Sequence, residues 1–249
     1  MSDWELLQDY CQNGSEEAFA EVVNRHLDLV YSAALRQVRS SEAAQDVTQS
    51  VFLDLAQTAN RLKRDTILPA WLYEVTRRTA IDLIRKESRR RSREHTLLEM
   101  TDMNPGSSDW TQIEALLDQG MGSLRPKDRA ALLLRYFQNK SLREVGQSLG
   151  LSEDGSQKCV SRATQRLRLF LSKRGVTVGT SGLVLALTAN AVKSAPIGLG
   201  SLVCSTSVLS VAAMHQGHNL GCNQSHSYDN HTKTLHRHRP RRGLERGNL

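Results

Sequence analysis

Residues 139–170, NKSLREVGQSLGLSEDGSQKCVSRATQRLRLF, constrain the fold more than any other stretch, because two short helical periodicities meet there at a single glycine. Leu142, Val145 and Leu149 repeat at helical spacing, Gly150 ends the run, and Ser152 stands where an N-cap belongs. The spacing predicts a helix-turn-helix. In its second helix Val160, Ala163, Leu167 and Phe170 point inward, while Lys158, Ser161, Arg162 and Gln165 share the opposite face. Amides, hydroxyls and cations on one face reach base edges and phosphates together, so this helix suits the major groove of duplex DNA. The competing reading is an ordinary helical hairpin with a solvated basic face.

Upstream, residues 15–93 hold three further amphipathic patterns and few helix breakers. Ala18, Val22, Leu29, Val30, Ala33 and Leu35 mark one helix, and Ala43, Val47, Val51, Leu55 and Ala56 a second. A polar connector with cationic character, NRLKRDTIL, leads to Pro69 in the first turn of a third and longest helix. That helix carries Trp71, Leu72, Val75, Ala80, Ile81 and Ile84, then ends in the basic run RKESRRRSR, residues 85–93. Like-charge runs are usually solvated and often meet nucleic acid. The whole pattern is all-α, in two small helical domains: 13–93, then a flexible linker 94–119 containing TDMNPGSSD, then 120–174.

Past Arg174 the composition changes, and from Gly175 to Met214 Lys193 is the single charged residue. Two uncharged stretches there approach the ~20 residues that cross a bilayer. Their Ser, Thr, Gly, Asn and Pro content weighs against insertion, so membrane association through 175–214 is not favoured. Residues 215–249 hold six of the eight histidines and no apolar periodicity, which reads as disorder. The net charge of +7 over 249 residues calls for an anionic partner. Cys11, Cys159, Cys204 and Cys222 form no paired framework, and the N-terminus lacks a secretory pattern, so a reducing cytoplasm is the expected compartment.

In the order of its parts the chain resembles the extracytoplasmic-function sigma factors of bacterial RNA polymerase, over roughly residues 13–174. SEAAQDVTQSVFLDL, 41–55, is similar to the family's core-polymerase-binding helix, whose pattern Asp46, Gln49 and Phe52 meet. PAWLYEVTRRTAIDLIRKESRR, 69–90, resembles the promoter-melting helix, and LREVGQSLGLSE with SRATQRLR resembles the family's fourth region. The resemblance implies core RNA polymerase and promoter DNA as partners, with an anti-sigma factor as a further one. Two departures stand out: Arg78 replaces the Asn many members carry, and Cys159 stands where a basic residue is common, close to Gly155.

From these readings, Arg143, Ser156, Gln157, Lys158, Ser161 and Arg162 are candidates for the distal promoter element, with Arg143 on phosphate. Arg77, Arg78, Arg85 and Lys86, near Trp71 and Tyr73, are candidates for the proximal element, where rings stack bases and cations hold phosphate. Asp46, Gln49 and Leu53 share one side of their helix, as a partner helix would need.

Neither a phosphate-binding glycine loop nor a nucleophile elbow occurs, so the chain is not expected to be an enzyme and calls for no cofactor or metal. His26 and His95 are isolated. His215, His218, Cys222 and His226 are too loosely spaced for a recognisable metal site. Two rival readings are a stand-alone helix-turn-helix regulator and a sigma factor anchored to a membrane through 175–214.

Overall fold

The structure, a computed structural model, describes residues 1–94 and 109–207. Its helices begin where short polar side chains cap free amides. Helix α1 (Asp3–Asn13) opens with a capping box: Glu5 N–H donates to Ser2 Oγ, and Ser2 N–H to Glu5 Oε2 at 2.7 Å. Ser15 caps α2 (Glu16–Val38) and Ser40 caps α3 (Ser41–Thr58), each worth about 1 kcal/mol. The fourth helix, α4 (Leu68–Glu94), has Pro69 in its first turn, as its sequence requires. Helix α2 is the centre of this first module and packs on α1, α3 and α4. Phe19, Val22, Val30, Phe52, Leu55 and Leu72 are fully buried there, which accounts for the apolar periodicities of all three long helices.

The second module comprises α5 (Asp109–Ser123), α6 (Pro126–Leu132), which runs on through the π turn Leu133–Phe137, then α7 (Leu142–Leu149) and α8 (Glu153–Ser172). The linker expected over 94–119 is therefore shorter. Helix α5 occupies its second half because Ile113 and Leu117 are fully buried against the fold, while residues 95–108 lie outside the described residues.

The turn between α7 and α8 depends on two glycines. Gly150 has φ +63°, the left-handed conformation that lets the chain leave α7. At Gly146 a Cβ would sit 2.7 Å from Leu151 O and 2.8 Å from Ser156 Oγ, so any side chain would force the two helices apart.

The two modules are docked. Helix α2 meets α5, and α4 meets α6 and the π turn. The apolar segment for which membrane association was not favoured is packed on the protein: α9 (Thr180–Asn190) lies on α8 and the π turn, and a further helical stretch spans 199–207. Leu183, Leu187, Ala191 and Val203 are fully buried, so the apolar composition of 175–207 reflects a protein core rather than a bilayer. No helix among the described residues is long and apolar enough to cross a membrane. The remainder, 208–249, with its histidines and Cys222, lies outside the described residues, as does His95.

Candidate promoter and polymerase interface

Helix α8 sorts its residues into two faces. Gln157, Lys158, Ser161 and Gln165 are exposed on one side, and Val160, Ala163 and Leu167 are buried on the other. Arg143 on α7 is exposed as well. Ser156 departs from expectation. It is fully buried, its hydroxyl donates to Ser152 O at 2.9 Å, and it cannot reach a base; its role is to seat α8 against α7. Arg162 is more than half exposed, yet its Nη2 is tied to Asp128 Oδ1 at 3.1 Å. Arg166 holds the other oxygen of the same carboxylate.

Asp128 is buried on α6 and thus carries two guanidiniums of the recognition helix. Such charge-assisted bonds fix the roll of α8 on its support. Cys159 also faces this cluster, at 3.7 Å from Asp128 Oδ1, and burial, with the Asp128 charge behind it, pushes its thiol pKa up. Because Cys159 points inward, the absence of a cation there removes no outward phosphate contact. Gly155 likewise costs little. It occupies the first turn of α8, where its N–H donates to Ser152 Oγ at 3.1 Å.

On α4 the proximal candidates divide along the helix. Arg85 and Lys86 are exposed near its end, and Arg85 is loosely paired with Asp82 at 3.9 Å. Arg78 is exposed, with Nε 3.4 Å from Glu74 Oε1. Arg77 faces the seam, half-buried between Glu74 and Gly122. Glu74 also meets Arg129 of α6 at 3.3 Å. Tyr73 is no stacking platform here, since it is fully buried and its hydroxyl donates to Asp118 of α5. Trp71 is half-buried against the core.

On α3, Asp46 is exposed and Gln49 half-exposed, and with Ser50 and Leu53 they line a groove of about 300 Å³. Phe52 is fully buried, so it shapes the helix from inside rather than touching a partner.

Residues 22–90 match Sigma-70 region 2, and residues 114–167 match Sigma-70, region 4. The chain belongs to the sigma-70 family. Region 2 thus covers most of α2, all of α3 and most of α4, and region 4 runs from within α5 to within α8. The ECF RNA polymerase sigma factor SigE of Mycolicibacterium smegmatis is 28% identical over 158 residues, covering 61% of this chain and 61% of that protein. CarQ of Myxococcus xanthus, an RNA polymerase sigma factor, is 27% identical over 65% of this chain and 94% of its own. The ECF RNA polymerase sigma factor SigM of Bacillus subtilis is 27% identical over 63% of this chain and 96% of its own. Among solved structures, the sigma factor RpoE in complex with the anti-sigma factor NepR from Bartonella quintana aligns with a TM-score of 0.33 at 20% identity. That alignment covers 62% of this chain and 96% of the other.

Several residues that shape these sigma-70 regions escaped the sequence reading. Helix α1 precedes region 2 and buries Leu6 and Leu7; the Ser2–Glu5 capping box was its signature in the sequence. His26, isolated in the sequence, is buried, with Nε2 2.9 Å from Asp3 Oδ2 and Nδ1 2.8 Å from Gln138 Nε2. Asp128, Arg36 and Asp118 had no local signal, because their partners lie on other helices.

Proposed function

We propose that this chain is an alternative sigma factor of the extracytoplasmic-function class. It holds core RNA polymerase through α3, reads the distal promoter element as duplex with α8, and captures the opened proximal element with the cationic end of α4. The observation that carries this reading is the polar, cationic outer face of α8, set on the same chain as the exposed arginines and lysine that end α4. One DNA molecule can engage both.

The physical roles differ. Gln157, Lys158 and Ser161 offer an amide, a cation and a hydroxyl to a major groove, and Arg143 adds a phosphate contact. Arg78, Arg85 and Lys86 track the backbone of a separated strand. Asp46 and Gln49 give a partner helix polar contacts beside the apolar Leu53. The chain performs no chemistry of its own, because phosphodiester synthesis belongs to the polymerase. An anti-sigma protein would act by covering these same faces, and the bacterial cytoplasm is where all the partners meet.

Run-off transcription with purified core polymerase across a promoter library tests the reading. Transcripts that start at a shared promoter pair, and only when this chain is added, are expected. Binding to duplex DNA without any association with core polymerase would assign the chain to stand-alone regulators instead.

A further inference from the structure

The C-terminal segment does more than cover apolar surface. Its main chain is held by side chains of region 2. Ser32 of α2 is buried, and its hydroxyl both accepts from Lys193 N at 2.6 Å and donates to Lys193 O at 2.9 Å. Arg36 Nη1 donates to Ala191 O at 2.6 Å, and Asp28 Oδ1 accepts from Ala195 N at 2.8 Å. Lys193, the one charged residue between 175 and 214, places its ammonium 2.9 Å from Glu114 Oε1 on α5. The segment thus bonds to both modules at once. Apolar collapse alone would not match main-chain donors and acceptors to the buried Ser32 and Arg36 side chains in this way.

Beyond Lys193 the helical stretch 199–207 continues along the first module. Gly200 rests against Asn24 and Leu27, where a Cβ would lie 3.4 Å from each, and Val203 is fully buried. Thr206 then lines one side of the groove formed by Asp46, Gln49, Ser50 and Leu53 on α3. That groove is the face assigned above to core polymerase.

We propose that residues 176–207 are a built-in clasp, which bonds to both modules, reaches the edge of the polymerase-binding face of α3 and keeps regions 2 and 4 shut against each other until polymerase or another partner displaces it. The proposal rests on the reading of α3 as the polymerase-binding helix. Affinity for polymerase falls by the fraction of molecules in which the clasp is open, so releasing it returns that factor.

Two full-length variants release the clasp without touching either module. Val203→Asp places a charge at a fully buried position, and Gly200→Phe wedges the helix away from Asn24 and Leu27. Limited proteolysis within 176–207 reports release, and titration with core polymerase reports affinity. Faster cleavage with binding about ten-fold or more tighter is expected, and adding Asp46→Arg should abolish the gain.

Faster cleavage with unchanged affinity overturns the clasp, and the reading of α3 survives if Asp46→Arg still weakens the parent chain. If Asp46→Arg weakens nothing, the α3 reading falls and the clasp with it. If neither variant is cleaved faster than the parent, the segment is not seated as described and the proposal is overturned.

Discussion

Arg36 of α2 and Asp118 of α5 form a two-pronged ion pair across the seam between the modules, with Nε 3.1 Å from Oδ2 and Nη2 3.4 Å from Oδ1. Tyr73 of α4 adds its hydroxyl to the carboxylate, and Ala191 O takes the third guanidinium bond. Four separate parts of the chain therefore converge on one buried pair. Burial by itself would lower the Arg36 pKa, but the Asp118 charge more than offsets it and raises it. Burial, reinforced by the same carboxylate, pushes Tyr73 well above the usual phenol range, so it remains a donor.

Arg36→Leu should open this seam. The substitution leaves Asp118 in a dry interface with Tyr73 as its remaining donor, and uncoupling one partner of a buried pair costs about 3 kcal/mol. Chemical denaturation should show the loss, and small-angle scattering should show a larger radius of gyration as the modules separate. Unchanged stability together with an unchanged radius would mean that the pair does not hold the modules.

DNA binding should separate Lys158 from its neighbour Ser156. Lys158→Ala removes an exposed cation, so affinity for the distal element should fall and the salt slope should flatten by about 0.9. Ser156→Ala should leave that slope unchanged and lower stability by about 1 kcal/mol, the worth of one buried hydrogen bond. Fluorescence anisotropy at several salt concentrations distinguishes the two. A Ser156→Ala variant with weakened, sequence-relaxed binding would restore the serine to the base-reading set.

Periodic features were the legible ones. The helix-turn-helix, its Ser152 cap and Gly150 stop, and the three long helices of region 2 follow from spacing that each helix carries within itself. Burial of Ser156 was harder to see, because a helix of mixed polarity does not declare which flank its neighbour covers. The seam was invisible. Arg36 and Asp118 lie 82 positions apart, and no single segment signals such a pair. The packing of residues 175–207 was not legible for a related reason: apolar side chains mixed with small polar ones do not say which surface they will cover.

Asp128 offers a gain rather than a loss. Its single negative charge is shared by Arg162 and Arg166 on the recognition helix, so Asp128→Asn keeps the shape, raises the local net charge by one and loosens both guanidiniums. Nonspecific DNA affinity should rise several-fold at low salt, with a slope steeper by up to about 0.9 for the one charge removed. The melting temperature of region 4 should fall at the same time. An unchanged salt slope would show that neither guanidinium can reach phosphate from its place on α8.

Acid should release α1 before the rest of the fold. Burial raises the pKa of Asp3, but the hydrogen bond and charge of His26, with Lys140 and Arg25, more than offset it, so the group sits below its ordinary 3.8. A carboxyl depressed by folding contributes its full stabilisation above its unfolded pKa and loses it as pH falls through the folded one. Glu5, lowered by its bonds to Ser2, acts in the same direction. Amide exchange over residues 3–13 should therefore accelerate as pH drops below about 3.8, ahead of exchange in α2. Asp3→Asn should weaken α1 at neutral pH and remove most of this acid sensitivity, while Glu5→Gln should remove the smaller share. If exchange in α1 and α2 accelerates together in the parent chain, the Asp3–His26 contact is not what seats the first helix.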